Sequence, residues 1–330
     1  MFRPRPPRFG RSRKCPPVCP GAVKAGAVGA DYFTGRCALA PPRSFSSVSN
    51  VRIRIVSDLH YAEHGSRLRR LDALAPLFDG VDRVVFNGDT LETRFLDVDA
   101  HTRERKAEFE AWAAPFGDRL IIISGNHDPD FGAHTYLELA AGAVLVTHGD
   151  IMFPEMAPWG WEARWYREEQ ARLLAAEPAQ RRHSLDTRLA VCKRAILNIR
   201  DLSPRYPLRS SHPWKRRLRF LWSLRRVDEI LKAWRRTPAA AAAIAETYRP
   251  EARVVVVGHT HRPGAWLVRG RHVINTGSLV PPLGALAVDI DGDRLEVRRM
   301  RMEADRLRLE AAPFAVFSVP ATCPERRAGG

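Results

Sequence analysis

The sequence predicts an α/β layered fold, and two observations carry the prediction. Short β-branched runs recur, each closed by turn residues: "VRIRIVSD", "DRVVFNGD", "LIIISGNHD", "AVLVTHGD", "ARVVVVGHTH" and "HVINTGS". Consecutive apolar residues ahead of Gly, Asn or Asp suit strands covered on both faces, where no polar alternation is needed. The segments between the early runs, "RLRRLDALAPLFDG" and "RERKAEFEAWAAPFG", space their apolar residues along one helical face. Strand, helix and strand in succession point to parallel strands joined by crossovers. Near the end, "GALAVDIDGDRLEVRRM" sets an Asp-Gly-Asp turn between two runs, a hairpin signal.

Residues 151–250 differ in kind. They hold the helix-like stretches "WEARWYREEQARLLAAE", "DTRLAVCKRAILNIR" and "WKRRLRFLWSLRRVDEILKAWRR", with no good strand. Trp214, Leu218, Leu221, Trp222, Ile230, Leu231 and Trp234 would gather on broad apolar faces between arginines. The segment is expected to be a helical insertion, or cap, within one domain spanning residues 51–310. Residues 1–50, rich in Pro, Arg, Gly and Ser and without periodicity, are expected to be a disordered basic tail, and residues 311–330 a C-terminal tail. "GAVKAGAVGA" is too weak, and is broken by Lys24, to serve as the apolar region of a secretory signal. The Arg-rich, acid-poor start also has the look of a transit peptide.

Charge is unevenly spread over the 330 residues, whose formal net charge is +16. Residues 1–50 carry 9 basic and 1 acidic residue, 51–150 carry 11 and 17, and 151–250 carry 21 and 10. The acidic part is therefore the one that begins with strands, and the basic excess lies in the tail and the insertion. Such blocks suit an anionic partner, whether a phosphate-bearing substrate, nucleic acid or an anionic membrane face, and equally suit a solvated Arg-rich surface. No run of 18 apolar residues marks a membrane-spanning helix. Five cysteines, mostly near the ends, do not make a disulfide framework and fit a reducing, cytoplasmic compartment.

Five of the predicted strands end in side chains able to hold a metal: Asp58 and His60, Asp89, Asn126 with His127, His148, and His259 with His261. Open α/β sheets place their sites at the carboxyl ends of strands. Asp58 and His60, like His259 and His261, are two residues apart, so in extended backbone both members of each pair point the same way. Gly88, Gly125, Gly149 and Gly258 allow tight turns and close backbone approach. Each member alone has an ordinary explanation, an Asp as a cap or a His as a turn residue. Eight such donors at strand ends would need eight unrelated explanations.

In "SDLH", "GDTLE", "GNHD", "THGD" and "GHTH" the chain resembles the calcineurin-like metallophosphoesterase superfamily, whose pattern is D-x-H, G-D-x-x-[DE], G-N-H-[DE], H and G-H-x-H in that order. The resemblance covers residues 51–300 and implies a four-layer αββα sandwich. It implies one metal held by Asp58, His60, Asp89 and His261 and a second held by Asp89, Asn126, His148 and His259, with the Asp89 carboxylate bridging. Oxygen and imidazole donors without thiolate suit manganese, with iron and zinc as alternatives. Two such ions about 3.5 to 4 Å apart clamp a phosphoryl group and lower a water pKa toward about 7, supplying hydroxide as nucleophile. His127 would stabilise the transition state or protonate the leaving oxygen. Glu92 would orient it, or Asp128 instead, although Asp128 also reads as an Asx turn with Pro129. Arg262 would contact phosphate or lie on the surface. "NTGS", Asn275 to Ser278, resembles the loop that closes the site, or is only a turn.

The function this implies is metal-dependent hydrolysis of a phosphodiester or pyrophosphate bond in a lipid- or nucleotide-linked substrate. A phosphodiesterase acting on nucleic acid, a phosphomonoesterase and a catalytically silent metal-binding scaffold are the alternatives. The chain shares "SDLH", "HGD" and "GHTHRP" with the UDP-2,3-diacylglucosamine hydrolase group, pyrophosphatases whose helices between these motifs cover an acyl-binding groove. It departs from that group at His127, where the group carries arginine. The insertion would then cap an amphiphilic phosphate or rest peripherally on an anionic bilayer.

Overall fold

The computed structural model describes residues 51–319 except 62, 64, 94–99, 203–212 and 304, and within its helices the side chains of 200–202 and 213–223 are also outside the description. The expected basic tail, the last residues from 320, and the side chains of Trp214, Leu218, Leu221 and Trp222 therefore lie outside the described residues.

Two sheets form the centre. In the first, β1 (Ile53–Val56), β2 (Arg83–Asn87) and β3 (Leu120–Ile123) are parallel neighbours, with Ile55 opposite Val85 and Val85 opposite Ile121. In the second, β4 (Tyr136–Leu139), β5 (Val144–Thr147), β6 (Val254–Val257), β8 (Arg271–Asn275) and β7 (Gly264–Val268) lie in that order, and β5, β6 and β8 are parallel. The first sheet continues antiparallel from β1 through β9 (Ala285–Asp291) and β10 (Arg294–Glu303) to β11 (Arg306–Leu309). The predicted hairpin is β9 and β10.

Period-two alternation decides what each strand covers. Ile55, Val85, Ile121, Val146, Val256 and Ile274 meet between the sheets in one buried cluster. Their neighbours Val56, Val84 and Phe86 turn outward onto Leu74 and Leu77 of a 3-10 helix (Leu71–Phe78) and Phe109 of α1 (Ala100–Ala113). On the second sheet, Leu145, Val255, Val257 and Val273 pack against Leu189 of α3 (Leu185–Leu202) and Ala241 and Ala245 of α4 (Pro213–Tyr248). The result is the expected four-layer αββα sandwich. Each fully buried Val, Ile or Leu contributes about 1.5–3 kcal/mol through removal from water.

Between β5 and β6, residues 151–250 supply α2 (Ala163–Ala176), α3 and α4 and no strand among the described residues. Its helices are not all a cap. The C-terminal half of α4 is the crossover that lets β5 and β6 run parallel, and it forms the outer layer of the sandwich. α2 packs on α3 through Tyr166 against Cys192 and Ile196. No helix among the described residues is long and apolar enough to cross a membrane.

The expectation of a tail from residue 311 is corrected: β12 (Ala315–Ser318) pairs antiparallel with Arg294–Val297 of β10, and Val319 is buried. Phe317 packs at the edge of the inter-sheet cluster, which supplies the reason for this late strand to order. The helical spacing of residues 71–78 gives a 3-10 helix with Pro76 inside it, where proline has no N–H to donate.

Candidate metal centre

β1, β2 and β3 in one sheet and β5 and β6 in the other all end at the same rim, and every candidate donor follows one of those ends. Asp58 and His60 follow β1, Asp89 follows β2, Asn126 and His127 follow β3, His148 follows β5, and His259 and His261 follow β6. The expectation that paired donors share a direction through extended backbone is corrected. Asp58, His60, Asp89, His259 and His261 all have φ between 49° and 67°, the left-handed region that L-residues avoid. Five such residues at one rim are strain concentrated at a functional site and held by surrounding contacts.

The donors converge in two halves. Ligand atoms of Asp58, His60, Asp89 and His261 all lie within 4.8 Å of one another. On the other side, Asn126 Oδ1 is 2.7 Å from His259 Nδ1 and 3.1 Å from His148 Nε2. Asp89 Oδ2 belongs to both, 3.7 Å from His60 Nε2 and 3.3 Å from His148 Nε2. All of these residues are buried except His261, which is about one-third exposed.

Outer hydrogen bonds aim the rings inward. His148 Nδ1 donates to Asn87 O at 3.0 Å, and His259 Nε2 donates to Met156 O at 2.8 Å. Each ring thus presents its second nitrogen to the centre, the arrangement that orients metal-bound imidazoles. Burial and the nearby His148 lower the His259 pKa to about 4, so its Nδ1 lone pair faces the Asn126 oxygen near neutral pH. Two lone pairs at that separation repel unless a cation lies between them. With carboxylate, carboxamide and imidazole donors and no thiolate, the set fits divalent metal ions.

Asp58 and Asp89 are held below the ordinary carboxylate range despite burial, by His261 and His60 for Asp58 and by His148 and His127 for Asp89. Burial opposes a charge on His148, but Asp89 more than offsets it and raises the pKa to about 9. In metal-free protein His148 is therefore protonated below about pH 9, and a metal must displace that proton. Affinity for a divalent metal should rise with pH, up to about tenfold per unit for each proton released, and level off above the His148 pKa. Calorimetric titration at several pH values, in buffers of differing ionisation enthalpy, reads both affinity and proton release. A pH-independent affinity would contradict the assignment.

The family profile for calcineurin-like phosphoesterase matches residues 51–263, well over half of the chain. The chain belongs to the calcineurin-like phosphoesterase family. It is accordingly a metal-dependent phosphoester hydrolase. No curated protein matches its sequence. Among solved structures, a predicted phosphoesterase from Streptococcus pneumoniae is 16% identical, with 80% of this chain and 99% of that chain covered and a TM-score of 0.34. The phosphoesterase Yfce of E. coli is 14% identical over 82% of this chain and all of its own, with a TM-score of 0.36. Vacuolar Protein Sorting 29 from Cryptosporidium parvum is 13% identical with the same coverage and score.

In this phosphoesterase the loops are braced from beneath. A Cβ at Gly125 would collide with Asp89, and one at Gly258 with Asp58, so only glycine lets these loops approach so closely. Asp128 accepts backbone N–H bonds from Gly125 (2.6 Å), Thr90 (2.7 Å), Asp89 and Leu91 (3.1 Å each). It is a buried brace and does not orient His127. Burial and Asp89 push its pKa up to about 7, against four N–H donors that favour the carboxylate. "NTGS" is more than a turn: Ser278 Oγ donates to Asp58 O at 3.0 Å, and Asn275 Nδ2 donates to Gly258 O at 2.8 Å. That loop ties the first and last donor loops together.

Glu92 Oε2 is 2.7 Å from His127 Nδ1, which leaves Nε2 facing the centre, 3.9 Å from Asp89 Oδ2. Arg262, expected to contact phosphate or to lie on the surface, is partly buried against α4. Its Nη1 donates to Trp234 O at 2.9 Å and its guanidinium lies over Trp266, so it tethers α4 and does not line the cleft above the donors. That cleft holds about 550 Å³ and is walled by Met156, Trp159, Trp161, Tyr166, Ile230 and Trp234, with Arg226 as the arginine among its described lining residues.

Sequence reasoning missed Glu63, Asp150, Lys193 and Arg226. Glu63 Oε2 is 3.0 Å from His60 Nδ1. Asp150 stands inside "THGD", but its partner Lys193 lies 43 residues on and no local pattern joins them. Lys193 had one available signal: it lies on the apolar face of its helix, between Leu189 and Ile196.

Proposed function

We propose that this phosphoesterase hydrolyses a phosphodiester or pyrophosphate bond in a lipid- or nucleotide-linked substrate, with two divalent ions, manganese first. Asp58, His60, Asp89 and His261 would hold one ion, and Asp89, Asn126, His148 and His259 the other. The carrying observation is the Asp89 carboxylate, one oxygen of which stands within 3.7 Å of donors from both halves. Bound there, such ions polarise phosphoryl oxygens and lower the pKa of water toward about 7.

The chain's own residues do the rest. Glu92 fixes His127 through Nδ1, and Nε2, on the cleft side, delivers a proton to the leaving oxygen. Asp128 and the glycine turns hold the donors in conformations they would not otherwise keep, so little reorganisation accompanies reaction. The aromatic walls offer stacking surfaces to an organic group, and Arg226 offers a charge to a second phosphate or an anionic headgroup. These features support a substituted diester over a bare monoester.

The test strips the protein of metal, restores manganese and follows bis-p-nitrophenyl phosphate, p-nitrophenyl phosphate and UDP-linked acylglucosamine. Manganese-stimulated turnover is expected, with the diester or pyrophosphate favoured over the monoester. Absence of stimulated turnover on all three would favour the metal-binding scaffold instead.

A further inference from the structure

Lys193 is buried, its side chain only 9% exposed, on a helix that supplies none of the donors described above. Its Nζ donates to Ser124 O at 2.7 Å, Gly125 O at 2.9 Å and Asp150 Oδ2 at 2.5 Å, which uses all three ammonium protons. No proton is left for a substrate. The Gly125 carbonyl belongs to the planar peptide that leads into Asn126, so fixing it fixes the base of that side chain. The same Gly125 is held by its N–H on Asp128. Asp150, wholly buried, lies two residues after His148.

One ammonium thus joins the loop bearing Asn126 to the loop bearing His148, two donors of the same half of the centre. None of its three hydrogen bonds goes to the loops bearing Asp58, His60 or His261. A buried ion pair is weak evidence of stabilisation, because an apolar pair of similar volume packs about as well. Its presence calls for a geometric reason. We propose that Lys193 is a positioning residue that sets the distance between Asn126 and His148 and thereby builds the second ion site from within the helical insertion. The inference rests on the two-ion reading above, and it makes α3 part of metal assembly as well as part of the outer layer.

The experiment uses the full chain, stripped of metal and titrated with manganese alone, with thermal melting in parallel. Wild type is compared with Lys193→Met and with Lys193→Met/Asp150→Leu. The single variant leaves a buried carboxylate without its partner; the double variant does not, and is expected to melt close to wild type. Wild type should take up two ions. In both variants one binding step should weaken by about 10- to 100-fold, the range for lost outer support of metal ligands, while the other step stays within about twofold. Two unchanged steps, two steps weakened alike, or a double variant that does not fold would each overturn the positioning role. Fewer than two ions on wild type would overturn the two-ion reading and this inference with it, a failure visible before any variant is made.

Discussion

Asp89→Asn should lower manganese-dependent diester turnover by about a thousandfold, the upper range for removing one preorganised electrostatic group. Asp89 is the one carboxylate common to both halves, and its Oδ2 faces His60, His148 and His127 at 3.7, 3.3 and 3.9 Å. Asparagine keeps the volume and can keep the bond that Oδ1 accepts from His127 N at 2.8 Å. What it loses is the charge, and it turns an NH₂ group toward three imidazoles. Manganese uptake should fall with activity while the melting temperature stays near that of metal-free wild type. A loss below about tenfold would mean that Asp89 is not at the junction, since even outer support of a metal ligand is worth more.

His127→Ala should reduce kcat by about a hundredfold to ten-thousandfold and leave manganese uptake unchanged, which separates it from Asp89→Asn. The size should depend on the leaving group. An alkoxide needs a proton as it departs, whereas p-nitrophenolate leaves readily without one, so a diester with an alkyl leaving group should suffer more than bis-p-nitrophenyl phosphate. Glu92→Gln retains a hydrogen-bond acceptor toward His127 Nδ1 and should cost less than His127→Ala in the same comparison. Equal losses on both leaving groups would assign His127 to charge stabilisation and not to proton delivery.

Strands such as "VVVV" at 254–257 were legible because continuous β-branched residues have few other stable uses than a strand covered on both faces. β7 and β12 were not, since "GAWLV" and "AVFS" are short and half exposed, with Leu267 68% exposed, and they pair only because neighbouring strands offer an edge. The partner of Arg262 was not legible for a related reason. The arginine's position after "GHTH" is a local fact, whereas the Trp234 carbonyl that captures it comes from α4.

The sequence by itself determined which donors exist, their order and their attachment to strand ends, because each motif is a few adjacent residues beside a run whose pattern is local. The tertiary structure decided where those donors point. Left-handed backbone at Asp58, His60, Asp89, His259 and His261 is unfavourable in isolation and persists only under contacts made far along the chain. Examples are the Asn87 bond to Thr147 between the sheets and the Lys193 clamp on Gly125. No local pattern encodes those partners, since they meet only when two sheets and an inserted helix close over the same rim.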